Sequence, residues 1–114
     1  MKGITRQELA NLIESFNLPA VYYAFDDETE KTPPFLCWFL SSNTDVYADD
    51  ENYVDKEQLN IELYTSFRDF DLEKSIETVL KSHGITYYKY EAYVEAEKLF
   101  QIAYESEVII NEPE

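Results

Sequence analysis

The chain has 114 residues, with 24 acids against nine bases, a formal net charge of -15 and a pI near 4.2. Such a surface repels phosphate backbones and anionic lipids, which disfavours direct binding of DNA, RNA or membrane. Disorder, the usual fate of acidic chains, is argued against by ten Tyr and seven Phe, which bring aromatic residues to 16%. The length is that of one domain, able to bury roughly two-thirds of its unfolded surface without disulfides or a structural metal.

In chain order, "ITRQELANLIESFN" reads as a helix with Thr5 as N-cap and Glu8 closing a capping box three residues later. Ile4 and Leu9 occupy the positions of a hydrophobic staple. Leu9, Leu12, Ile13 and Phe16 form one apolar stripe, and Pro19 prevents the helix from continuing. Strands are expected at "PAVYYAF" (19–25), "FLCWFLS" (35–41) and "QLNIELYT" (58–65). The second is apolar almost throughout, as in a strand covered on both faces, and the third alternates with period two. Between the first two, "DDETEKTPP" reads as a loop.

A second helix, "DLEKSIETVLKSHG", takes Asp69 or Asp71 as N-cap. It buries Leu72, Ile76, Val79 and Leu80, and ends on Gly84 in the left-handed conformation. Closing strands are expected near 85–90 and 98–109, with "YEAYVEAEKL" open between a helical turn and a bent hairpin. The order is then α-β-β-β-α-β-β, a single-domain α+β fold over 1–110. Its sheet is mostly antiparallel, with two amphipathic helices packed on one face, and 111–114 form a polar tail. Leu9, Leu12, Phe16, Ile76 and Leu80 should be buried with Leu59, Ile61 and Leu63.

Side-chain chemistry points away from catalysis. His83, the sole histidine, falls at a helix C-terminus, where it suits the dipole. Cys37 sits in an apolar run with no second Cys, and reads as a small buried hydrophobe. Two glycines are too few for a phosphate-cradling loop. The stretch "YADDENYV" (47–54) is the one serious candidate. Asp45, Asp49, Asp50, Glu51 and Asp55 could offer oxygens to Ca²⁺ or Mg²⁺, yet the stretch lacks the Gly and the acid spacing of an EF-hand loop. It reads as a solvated loop or docking surface. No catalytic, cofactor or metal site is expected. No apolar run approaches the ~18 residues of a membrane span, and no signal peptide is apparent, so a cytosolic setting is expected.

The succession "VYYAF…PPFLCWFLSSNTDVYADDENYVDKEQLNIELYT…DLEKSIETVLKSHGI…EAYVEAEKLFQIAYE" resembles the tail terminator (tail completion) proteins of long-tailed bacteriophages and prophages of Gram-positive hosts. The resemblance runs from about Leu18 to Glu105 and lies in the order of pieces rather than in one diagnostic motif. It implies a non-enzymatic structural protein with an α/β fold, found in the host cytoplasm during assembly and then in the virion tail. Such proteins form rings, typically of six subunits, on the head-proximal end of the tail tube. They stop its polymerisation and present a surface to the head-completion protein. The implied partners are therefore the chain itself, the major tail protein and the head-completion protein, with no sequence-specific nucleic acid binding and no membrane. Asp45, Tyr47, Asp49, Asp50, Glu51 and Tyr53 would form a partner interface at the tip between the second and third strands. Carboxylates there would select a basic patch. Composition alone also fits an acidic DNA mimic or another host-factor binder.

Overall fold

The computed structural model describes residues 3–23, 32–42 and 56–111. In chain order they form β1 (Gly3–Ile4), α1 (Arg6–Glu14), β2 (Ala20–Tyr22), β3 (Phe35–Ser42), β4 (Lys56–Thr65), α2 (Phe70–Ser82), β5 (Tyr88–Val94) and β6 (Leu99–Ile110). All six strands join one sheet in the order β1-β6-β4-β3-β2, and β5 pairs with β6 beside β1. The α+β class and the two helices agree with the sequence reading; the element order gains a strand at its start.

Both helices begin and end as their local chemistry dictates. Thr5 accepts from the Glu8 N–H at 3.0 Å while the Glu8 carboxylate accepts from the Thr5 N–H at 2.9 Å, a closed capping box. α1 stops at Glu14, earlier than Pro19 requires, because Asn17 turns left-handed at φ 59°. Phe16 therefore lies beyond the helix, packed half-buried against the core. Asp69, not Asp71, caps α2 by accepting from the Leu72 N–H at 3.1 Å. At the other end Ile85 N–H reaches the Leu80 carbonyl at 2.9 Å and Gly84 N–H the Lys81 carbonyl at 3.0 Å, with Gly84 at φ 71°. That pair of bonds is a Schellman closure, and Leu80 and Ile85 make its apolar contact inside the core.

Register divides the sheet into two faces. Leu36 stands opposite Leu63 and Leu63 opposite Ile102; Trp38, Ile61 and Tyr104 form the next row, and Leu40, Leu59 and Ser106 the one after. These side chains meet Leu9, Leu12 and Ile13 of α1 and Ile76 and Leu80 of α2 in one core, so both helices cover the same face. Burying each Leu or Ile contributes about 1.5–3 kcal/mol, which is what makes the short α1 worth forming.

Three expectations are corrected. β2 and β3 pair in parallel, although no helix joins them. Strands linked in sequence were expected to run antiparallel, but the twelve residues between Tyr22 and Phe35 are long enough for a crossover. β2 itself covers only Ala20–Tyr22 of the expected 19–25; Tyr23 leaves the ladder at φ 78°, and 24–31 lie outside the described residues. The extra strand, β1, adds in parallel to the end of β6 through Gly3 and Ile4. Elsewhere the open alternative in "YEAYVEAEKL" resolves as a hairpin: β5 extends to Val94, and Lys98 at φ 56° closes the turn into β6. β3–β4, β4–β6 and β5–β6 are antiparallel, so the sheet is mostly so.

Candidate functional site

The six residues singled out in the sequence (Asp45, Tyr47, Asp49, Asp50, Glu51 and Tyr53) lie outside the described residues, as does Asp55. What flanks them is described. β3 and β4 pair antiparallel out to Ser42 opposite Glu57, so 43–55 connects neighbouring ends of one hairpin. Glu57 is buried at that end, and Arg6 reaches its carboxylate at 3.2 Å. On the opposite face Gln58 donates to Asn60 Oδ1 at 3.0 Å and Asn60 donates to Ser41 Oγ at 3.2 Å. The second of these bonds ties β4 to β3 just short of the connection, and the first orients Asn60 to make it.

The sheet face turned away from the helices is built from the other half of each strand. Phe35 stacks on Tyr64 with ring centres 5.1 Å apart, and Cys37, Leu99 and Val21 complete a small apolar cluster. Cys37 is buried there, in the role of a small hydrophobe. Gln101 donates to the Tyr64 hydroxyl at 2.7 Å, and that hydroxyl donates to Glu62 at 3.0 Å. Burial, with the Glu62 charge beside it, pushes the Tyr64 phenol far above its ordinary value, so it remains a neutral donor. Further along, register places Tyr88 beside Glu105 and Glu105 beside Asn60, while Tyr90 flanks Ala103 and Ala103 flanks Glu62. Tyr88 is 75% exposed and Tyr90 52%. Aromatic bodies with polar tips, next to acids that make no ion pair among the described residues, are the composition of a docking surface.

A second cluster, on the helix side, escaped the sequence reading altogether. Glu73 of α2 is only 1% exposed, yet charged. Arg68 grips both its oxygens, Nε at 2.7 Å and Nη2 at 3.1 Å, and Lys89 Nζ adds a contact at 2.9 Å. Lys89 also bridges to Glu77 at 2.7 Å, Tyr104 donates its hydroxyl to Glu77 at 2.8 Å, and Arg68 pairs with Glu91. Arg68 further lies over the Phe70 ring at 4.6 Å. Burial pushes the Glu73 carboxyl up, but the bonds from Arg68 and Lys89 outweigh it and hold the group below its usual range. Burial opposes the charge on Lys89 too, and Glu77 and Glu73 more than restore it. Each charge here is paired with another, so the cluster bolts α2 to β5 and β6. Its signal in sequence was the spacing: Glu73 falls on the stripe of Ile76 and Leu80, and Arg68 stands five residues before it, just ahead of the helix.

His83 caps α2, its Nδ1–H donating to the Val79 carbonyl at 2.9 Å, in agreement with the dipole-satisfying role. It borders a groove of about 560 Å³ between α1 and the end of α2, lined by Ile4, Glu8, Asn11, Leu12, Ile85 and Val108. Among the described residues no three His, Cys, Asp or Glu side chains gather to hold a metal ion, and no helix is long and apolar enough to cross a membrane.

No family model matches the chain, and no curated protein matches it either.

Proposed function

We propose that this chain is a structural assembly protein of a long-tailed phage or prophage, a tail terminator. It caps the head-proximal end of the tail tube as a ring, stops polymerisation and joins the tube to the head-completion protein. The observation that carries this reading is how the molecule spends its polar groups. Around the buried Glu73 carboxylate, Arg68, Lys89 and Glu77 complete a set of charges that neutralise one another, while the helix-free face offers Tyr88, Tyr90, Glu62 and Glu105 outward. Groups arranged so serve docking rather than turnover. The order of pieces from Leu18 to Glu105, similar to that of tail terminators, supports the same reading. Asp45, Tyr47, Asp49, Asp50, Glu51 and Tyr53, joining the paired ends of β3 and β4, would meet the partner with a carboxylate patch between two tyrosines.

The net charge of -15 favours a second reading, an acidic DNA mimic or host-factor binder. A mimic needs carboxylates spaced like phosphates along one face; on the helix-free face they alternate with Tyr, Ala and Asn. The test is electron microscopy of purified tail tubes incubated with the protein. One capped end and arrested elongation are expected. Indifference to tube ends together with tight binding to a host nuclease would overturn the terminator reading in favour of the mimic.

A further inference from the structure

Cations are scarce in this chain, and three of the seven described are committed: Arg6 reaches Glu57, and Arg68 and Lys89 are locked to Glu73. Lys74 and Lys81 are not. Both are exposed on α2 and make no ion pair among the described residues. Seven residues separate them, so they share the outer face of the helix at roughly 10 Å spacing. On the far side of the sheet stand exposed Tyr88 and Tyr90 with Glu105 and Glu107, carboxylates likewise without a cation. The one described lysine on that face, Lys56, stands opposite Ile109, one row beyond Glu107.

The two surfaces match in charge but lie on opposite sides of one molecule, the helices covering the sheet face that Tyr88 and Glu105 do not occupy. They cannot meet within a chain. We infer that they meet between two: the Lys74–Lys81 face of α2 in one copy docks on the Tyr88, Tyr90, Glu105 and Glu107 surface of the next. Lysine stems lie along the tyrosine rings while the ammonium groups reach the carboxylates. Since the two patches differ, the contact is head-to-tail, the kind that closes a ring when the rotation between copies permits and otherwise continues as a filament. The inference supplies the subunit contact of the proposed ring and rests on that reading. It also explains why an acidic chain keeps two uncommitted lysines on one helix face.

The experiment is sedimentation velocity of the full chain at a fixed ionic strength of ~0.15 M, where the reach of exposed charges is only ~8 Å. Two variants are compared with the parent, Lys74→Glu/Lys81→Glu and Glu105→Lys/Glu107→Lys. Lys74, Lys81 and Glu107 are exposed and Glu105 is half-buried, and unchanged urea midpoints confirm folding. Each variant alone should need roughly tenfold or more concentration to associate, because both its patches carry one sign. An equimolar mixture should recover association, as each acidic helix face then meets a basic sheet face. If the parent forms rings and both variants do so equally well, the contact is wrong and the ring reading stands. If the parent stays monomeric at every concentration and ignores tube ends, both fall.

Discussion

Among single residues, Glu73 decides most. Its carboxylate is buried and gripped by two cations, so removing it strands Arg68 and Lys89. Glu73→Ala should cost about 3–5 kcal/mol in urea unfolding. The acid side follows by linkage: Glu73 is held below its ordinary 4.5, so the folded state binds fewer protons than the unfolded one. Its contribution is complete above pH 4.5 and drains away as pH falls through the lower folded value. Urea midpoints measured from pH 6 down to 3 should fall, and fall less steeply in Glu73→Gln. Thr65 makes the opposite case. Its hydroxyl is buried with no hydrogen-bond partner among the described residues, so Thr65→Val removes an unmet donor at constant shape. That variant should be neutral or gain up to about 1 kcal/mol, and a clear loss would reveal a partner for the hydroxyl.

At the scale of elements, α2 carries the fold, because its inner stripe binds the sheet both through apolar packing and through ions. Ile76→Ala empties a fully buried site and should cost about 2–5 kcal/mol; a loss below ~1 kcal/mol would mean that the helix floats on its charges alone. The helix terminus tests a different quantity. Gly84 holds φ 71°, and a Cβ added there would meet nothing within 4 Å. Gly84→Ala therefore costs conformational energy only, about 1–2 kcal/mol, without disturbing packing. Thermal unfolding with retained near-ultraviolet circular dichroism is the check. β5 differs in kind: it is an exposed edge held by one ladder to β6 and by Lys89 and Glu91, charges that also discourage stray strand pairing.

For the whole molecule, charge is the controlling quantity. Six copies would sum to 6 × -15 = -90, so closure of a ring needs local attraction strong enough to offset long-range repulsion. Millimolar Mg²⁺ or Ca²⁺ should help modestly and without preference, by screening. Calorimetry showing submicromolar Ca²⁺ affinity, lost on Asp49→Asn, would instead make the 45–55 stretch a metal site. Some of this molecule was legible in its sequence. The capping box of Thr5 and Glu8, the Gly84 closure, the alternation of Leu59, Ile61 and Leu63 and the burial of Leu9, Leu12, Ile13, Ile76 and Leu80 were readable because each is set by neighbours a few residues away, whereas Phe16, Leu72 and Val79, expected in the same stripes, are only partly buried. The tertiary structure alone decided the parallel pairing of β2 with β3, the addition of Gly3–Ile4 to β6, and the burial of Glu73 between Arg68 and Lys89. Those depend on which distant strand lies alongside, and a charged residue reads as exposed until its partners, brought together by that pairing, make its burial affordable.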